Sequence, residues 1–205
     1  MSEFFLELFS EEIPSSLQKN LCEELLDSFN KTFSEKFISF KKSSSYSTPN
    51  RLIIVFEGLQ KQVVLKSKEI KGPNINAPEI ALEGFMKSNN ISNKDLIKKK
   101  IDKGEFYFFK TKSKKLNTHD LLEEFVPLLL QKIQWKKSMR WGEFDLNWGR
   151  PLKSILAMFD KKKLTFNFHH LVSSNTTFID KEFEENKKIF NDFKDYVSFF
   201  KKLNI

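Results

Sequence analysis

The sequence is poor in the residues that build self-contained chemical sites. It has one cysteine, Cys22, among 205 residues. That excludes an internal disulfide framework and any zinc site built on several thiolates. The histidines are His119, His169 and His170. His169 and His170 are adjacent, and neighbours on a strand point to opposite faces, so they cannot share a metal there. No two ligands have zinc spacing, and no metal site is expected. The six glycines form neither a Gly-x-Gly-x-x-Gly loop nor a Walker-type phosphate cradle. No Ser, His and acid arrangement suggests a nucleophile elbow. The longest apolar run is Phe125 to Leu130, far below the roughly 20 residues of a membrane span. Glu3, Glu7, Glu11 and Glu12 precede any Lys or Arg, unlike a signal peptide. These absences predict a cytoplasmic chain with no membrane contact, which binds or scaffolds rather than catalyses.

Arginine is scarcer than the net charge suggests. Of 35 basic residues, only Arg51, Arg140 and Arg150 are arginine. Lys, Asn, Ile and Phe, all reachable with A and T codons alone, make up 85 of 205 positions. The net charge of +8 therefore owes much to base composition, and basicity alone is weak evidence for a nucleic-acid partner. The three arginines resisted that drift. Charge is also uneven: residues 1–40 carry a net −5, whereas Lys87 to Lys115 carries +7. Any electrostatic footprint centres on that stretch, against the bland reading of a solvated lysine surface.

The core comes from short amphipathic elements. Glu3 to Phe9 has apolar residues on both parities, which predicts a strand covered on both faces. Leu17, Leu21, Leu25, Phe29 and Phe33 predict a helix over 14–33, with Cys22 buried on its stripe. Arg51 to Phe56 is rich in branched and aromatic residues and predicts a strand. It would form a hairpin with 62–70, ended by Gly72-Pro73. A short helix follows at 77–88, a capping-box spacing at Ser92 to Asp95, and a strand at 106–112. A helix is expected over 118–134, kinked or split by Pro127. Strands over 152–159 and 164–170 flank Asp160-Lys161-Lys162-Lys163 as a hairpin, and a helix is expected over 186–203. The fold class is α+β: mixed, mainly antiparallel strands and hairpins interspersed with amphipathic helices, in segments rather than in βαβ alternation. No sharp domain boundary is visible in residues 1–205; a sub-boundary falls near 135–151.

One constellation is dense: Trp135-Lys136-Lys137-Ser138-Met139-Arg140-Trp141-Gly142, then Trp148-Gly149-Arg150-Pro151. It holds all three tryptophans and two of the three arginines. Guanidinium forks and indole faces could hold an RNA phosphate and stack a base. Equally, the tryptophans could fill core while the arginines satisfy buried carbonyls or a carboxylate.

These residues resemble a family. "MSEFFLELFSEEIP" is similar to the start of the beta subunit of bacterial heterotetrameric glycyl-tRNA synthetase. Five blocks agree in order: Thr48 to Leu52 with Glu57-Gly58-Leu59; Lys71-Gly72-Pro73; Gly84-Phe85; Lys137 to Gly142; and Arg150-Pro151. The resemblance covers essentially all of 1–205. Two departures stand out. Asn50 replaces a usual basic residue, and Phe178-Ile179-Asp180 follows Thr177 where Gly-His-Arg is usual.

The resemblance implies that 1–205 is the N-terminal portion of a longer subunit, without its later HD-like and anticodon-binding regions. It implies an alpha subunit that holds the class II catalytic core and uses ATP and Mg2+, with a tetramer of two alpha and two beta. The beta chain then recognises tRNA(Gly), has no catalytic residue in this region, and is inactive alone. The expected RNA-facing residues are Arg51, Lys137, Arg140, Trp141 and Arg150. The alternatives are an assembly scaffold without RNA contact and a stand-alone basic RNA-binding module.

Overall fold

A computed structural model describes residues 2–65, 67–101, 104–179 and 186–204. The chain forms two compact units, Met1–Val63 with Asn117–Ile205, and Val64–Leu116.

The first unit is organised by β1 (Glu3–Ser10), the middle strand of a five-stranded antiparallel sheet. Its other strands are β2 (Lys42–Thr48), β3 (Arg51–Glu57), β9 (Leu152–Phe159) and β10 (Lys162–Lys163), in the order β10-β9-β1-β3-β2. All β1 residues after Glu3 are buried, because both faces are covered, as the apolar residues on both parities require. Phe4 meets Phe29 and Phe33 of α1 (Ser15–Glu35). Phe125 of α3 (Thr118–Gln131) joins the same two rings. On the opposite face, Phe5 packs with Ile53, Val55, Leu156 and Met158 against Tyr196 and Phe200 of α4 (Phe193–Lys202). Burying a large side chain is worth about 1.5–3 kcal/mol, so this two-sided aromatic packing dominates the fold's stability.

The connectivity β1-α1-β2-β3-α3-β9, in the order β9-β1-β3-β2, is the split βαβ arrangement of ferredoxin-like folds. The α+β class is as expected, but the expected lack of βαβ alternation is not. Two features conceal the alternation in the sequence. β3 inserts between β1 and β2 in space, and the whole second unit interrupts the chain between β3 and α3. The expected sub-boundary near 135–151 lies inside the first unit; the chain crosses between units at Val63 and Asn117.

Several local expectations change for physical reasons. Arg51–Glu57 pairs with β1 and with β2, not with residues 62–70. β2, Lys-Ser-Ser-Ser-Tyr-Ser-Thr, has no hydrophobic alternation because it is a largely solvated edge strand. Pro127 neither splits nor ends α3, which runs through it. The hairpin turn falls at Asp160 and Lys161, both with positive φ (49° and 65°), as a two-residue turn of the primed kind requires. Beyond β10, residues 164–170 contain only β11 (Asn167–Phe168), which pairs with β12 (Leu171–Val172). His169 and His170 form the turn of that hairpin instead of lying on one strand. The terminal helix begins only at Phe193; Lys187–Ile189 is strand β14, paired with β13 (Thr176–Phe178).

The second unit, described by itself, contains a three-stranded antiparallel sheet. It comprises β5 (Glu69–Asn74), β7 (Gly104–Lys110) and β6 (Leu96–Ile101), with β7 in the middle. Helix α2 (Glu79–Asn89) packs on β5, where the Phe85 ring lies so close to Gly72 that a β-carbon there would sit 2.9 Å from it. Gly72-Pro73 lies within β5 instead of ending it. Ser92 and Asp95 form the expected capping box. β6, Leu-Ile-Lys-Lys-Lys-Ile, escapes the sequence reading because five of its six residues are exposed.

Candidate functional site

Four of the five expected residues, Lys137, Arg140, Trp141 and Arg150, lie on one loop between α3 and β9. The loop is built on tryptophan packing. Trp148 is 2% exposed, lies 5.0 Å from Trp135 between ring centres, and meets Phe168 of β11 edge-on. Met139 and Trp148 exchange backbone hydrogen bonds of 2.8 and 3.1 Å, which closes the loop on itself. Trp135 presses on Gly149 so closely that a β-carbon there would lie 1.9 Å from the indole. Gly142, with φ 57°, turns the tip. Phe144 stacks on His170 at 3.7 Å, and Trp141 meets the same imidazole edge-on at 6.0 Å.

This frame turns Lys136, Lys137, Ser138, Met139 and Arg140 outward as a continuous exposed run. Arg140 donates to the Asp145 carboxylate at 2.8 Å, with 62% of its own side chain exposed. Trp141 is partly buried. Arg150 is also partly buried and ties the loop down: its Nε donates to the Glu12 carbonyl at 3.1 Å, and a terminal nitrogen donates to the Gly149 carbonyl. Of the four, Lys137 and Arg140 are the exposed ones.

Arg51 requires a correction. Expected to face RNA, it is 3% exposed and lies inside the sheet. Its Nε sits 3.8 Å from the Glu7 carboxylate. A terminal nitrogen donates to the carbonyls of Phe178 and Ile179. The guanidinium also lies 4.6 Å from the centres of both the Phe9 and Phe200 rings. Thr177 donates its hydroxyl to the same carboxylate. Burial pushes the Glu7 carboxyl above its ordinary value, opposed chiefly by the Arg51 charge. Burial also pushes the Tyr196 hydroxyl up, and the nearby Glu7 carboxylate adds to it. A guanidinium that serves a carboxylate, two carbonyls and two rings is a structural tie, which a lysine's single ammonium could not reproduce.

Sequence reasoning missed Glu7, Thr177 and Tyr196 as the partners of Arg51. One signal was available: an acid inside Phe-Phe-Leu-Glu-Leu-Phe, on a strand buried on both sides, needs a cation. The departure after Thr177 falls where Phe178 and Ile179 offer carbonyls to Arg51; Asp180 lies outside the described residues. Cys22 is 4% exposed, and burial pushes its thiol up to about 11, as expected of an inert core cysteine. Among the described residues, no three His, Cys, Asp or Glu side chains converge as metal ligands. No helix among them is long and apolar enough to cross a membrane.

The fold and loop together define a two-unit α+β chain with a buried ion-paired sheet and an outward basic loop. The chain belongs to the glycyl-tRNA synthetase beta subunit family, whose profile matches residues 4–205. Among curated relatives, the glycine–tRNA ligase beta subunit of Rickettsia felis is 40% identical over 198 residues, covering 96% of this chain and 30% of the relative. The Rickettsia conorii protein of the same name is 40% identical over 196 residues, covering 96% and 29%. The chain thus spans under a third of the length of the curated relatives it matches.

Proposed function

We propose that this chain is the N-terminal region of a beta subunit that supports ATP-dependent attachment of glycine to tRNA(Gly). Catalysis then resides in an alpha subunit, which uses ATP and Mg2+, in a cytoplasmic assembly of two alpha and two beta chains. The contribution of this region is to hold tRNA. The observation that carries this reading is the outward run Lys136 to Arg140, fixed by the Trp135–Trp148 frame, in a chain of this family. Preorganised cations on a braced loop suit phosphate contact, because little entropy is lost when they engage. Lys137 and Arg140 make the contact, Trp141 borders it, and Arg150 positions the loop.

The test compares Arg140→Gln and Lys137→Gln with the parent in the full assembly, by tRNA(Gly) binding and glycine charging. Each should weaken binding by about fivefold, equivalent to roughly 1 kcal/mol, with unchanged thermal stability. Unchanged binding and charging would reject the RNA role of the loop. A specific observation favours a second reading, assembly scaffolding. Arg51 and Trp148 are both buried, so these residues serve the fold. Its signature is loss of the tetramer, or of thermal stability, on changing Trp141, with tRNA affinity intact.

A further inference from the structure

The second unit carries a charge feature that the loop does not explain. Val64–Leu116 holds thirteen lysines against six carboxylates. Three of the lysines, Lys98, Lys99 and Lys100, are consecutive on β6 and exposed. Among the described residues β6 is an edge strand of its sheet, paired only with β7.

The seats of these cations matter. The Lys98 ammonium lies 5.7 Å from the centre of the Tyr107 ring, and that of Lys99 lies 5.7 Å from Phe108. On β5, Lys71 lies 3.6 Å from Phe106 in the same manner. A ring fixes an ammonium in place without cancelling its charge, whereas a carboxylate would neutralise it. Of the three, Lys99 alone also has a carboxylate partner among the described residues, Glu69 at 2.7 Å.

We infer that the lysine edge of β6 is a second tRNA-contacting surface, one that takes the phosphate backbone lying along the strand. The inference rests on the reading that this chain holds tRNA. Two arguments favour RNA over a protein partner. Successive side chains alternate faces, so Lys98 and Lys100 flank one side of the edge and Lys99 the other. Lys99 is met by Glu69, whereas Lys98 and Lys100 have no carboxylate partner among the described residues and present two free cations on one side, a repeat that a phosphate backbone matches. Consecutive edge lysines also discourage another strand from adding there. Alternate residues on a strand are about 6.6 Å apart, of the order of the separation between neighbouring phosphates.

The experiment uses the full alpha–beta assembly and a tRNA(Gly) transcript, titrated over a range of salt concentrations. The variants are Lys98→Gln/Lys99→Gln/Lys100→Gln and the arginine triple at the same positions. The glutamine triple should weaken binding and flatten the plot of log affinity against log salt by about two in slope, about one each for Lys98 and Lys100, because Lys99 is already paired with Glu69. The arginine triple should restore both. Unchanged affinity and slope in the glutamine triple, while the parent assembly binds tRNA, would overturn this surface and leave the proposed function standing. If the alpha subunit alone binds tRNA as tightly and with the same slope as the assembly, the proposed function fails first. Weakened alpha association with intact tRNA affinity would assign the edge to an acidic protein partner and overturn the inference.

Discussion

Arg51 and Glu7 form an ion pair inside the central sheet, Nε to Oε1 at 3.8 Å, with 4% and 0% of their side chains exposed. The carboxylate and guanidinium belong to neighbouring strands, β1 and β3, and each would be costly to bury alone. Arg51→Lys keeps the charge but loses the fork that reaches the Phe178 and Ile179 carbonyls, and should destabilise the fold by about 1–3 kcal/mol, or about 5 °C in Tm for a chain of this size. A double change, Glu7→Gln with Arg51→Met, should be less destabilised than Glu7→Gln alone, because it leaves no unpaired buried charge. Thermal unfolding checks both; a stable Arg51→Lys protein would refute the tie.

Gly149→Ala should displace Trp135, since its β-carbon would otherwise lie 1.9 Å from the indole. Overpacking of this kind costs about 1–3 kcal/mol. Intrinsic fluorescence should shift to the red as Trp135 leaves Trp148. An unshifted spectrum at parental stability would show that the ring accommodates the methyl group in place.

Cys22 should resist alkylation in the native protein. Its thiol is buried and pushed up to about 11, and its Sγ donates to the Tyr46 carbonyl at 3.0 Å. Iodoacetamide at mildly alkaline pH should label it only after denaturation. Rapid native labelling would contradict the burial.

Glu3 supplies a pH test. It is half-buried, and burial raises its carboxyl above the ordinary value, opposed by a hydrogen bond from the Phe193 N–H at 2.9 Å. A raised native value means that the favourable term is complete below the unfolded value and is lost as pH rises through the native one. Glu3→Gln keeps an acceptor for Phe193 without the charge. Its Tm should match the parent in acid, exceed it increasingly as pH rises through the unfolded and native carboxyl values, and keep a constant excess above them. A difference that does not change from acid to neutral pH would reject the assignment.

The elements with internal periodicity were legible. β1, α1, β3, β9 and the start of α3 fall where their apolar spacing put them, because each buries its own stripe or both of its faces. β2 and β6 were not legible: serine and lysine fill exposed edge positions, where backbone pairing alone holds the strand. The late start of α4 was hidden because Lys187–Ile189 can follow a helical stripe or a ladder, and β13 supplies the ladder. Of the candidate site, the loop was found from its tryptophans and arginines, but its sorting into exposed and buried residues was not.

By itself the sequence determined the α+β class, the family resemblance, the inert cysteine and the importance of three arginines. Each follows from local composition, spacing or ordered motifs. Only the tertiary structure decided what the arginines do. Arg140 points outward beside Asp145, Arg150 ties the loop to Glu12, and Arg51 is enclosed with Glu7. Those roles depend on partners up to 138 positions away in the chain. A guanidinium's task is set by the groups that surround it in space, and spacing along one chain does not encode them.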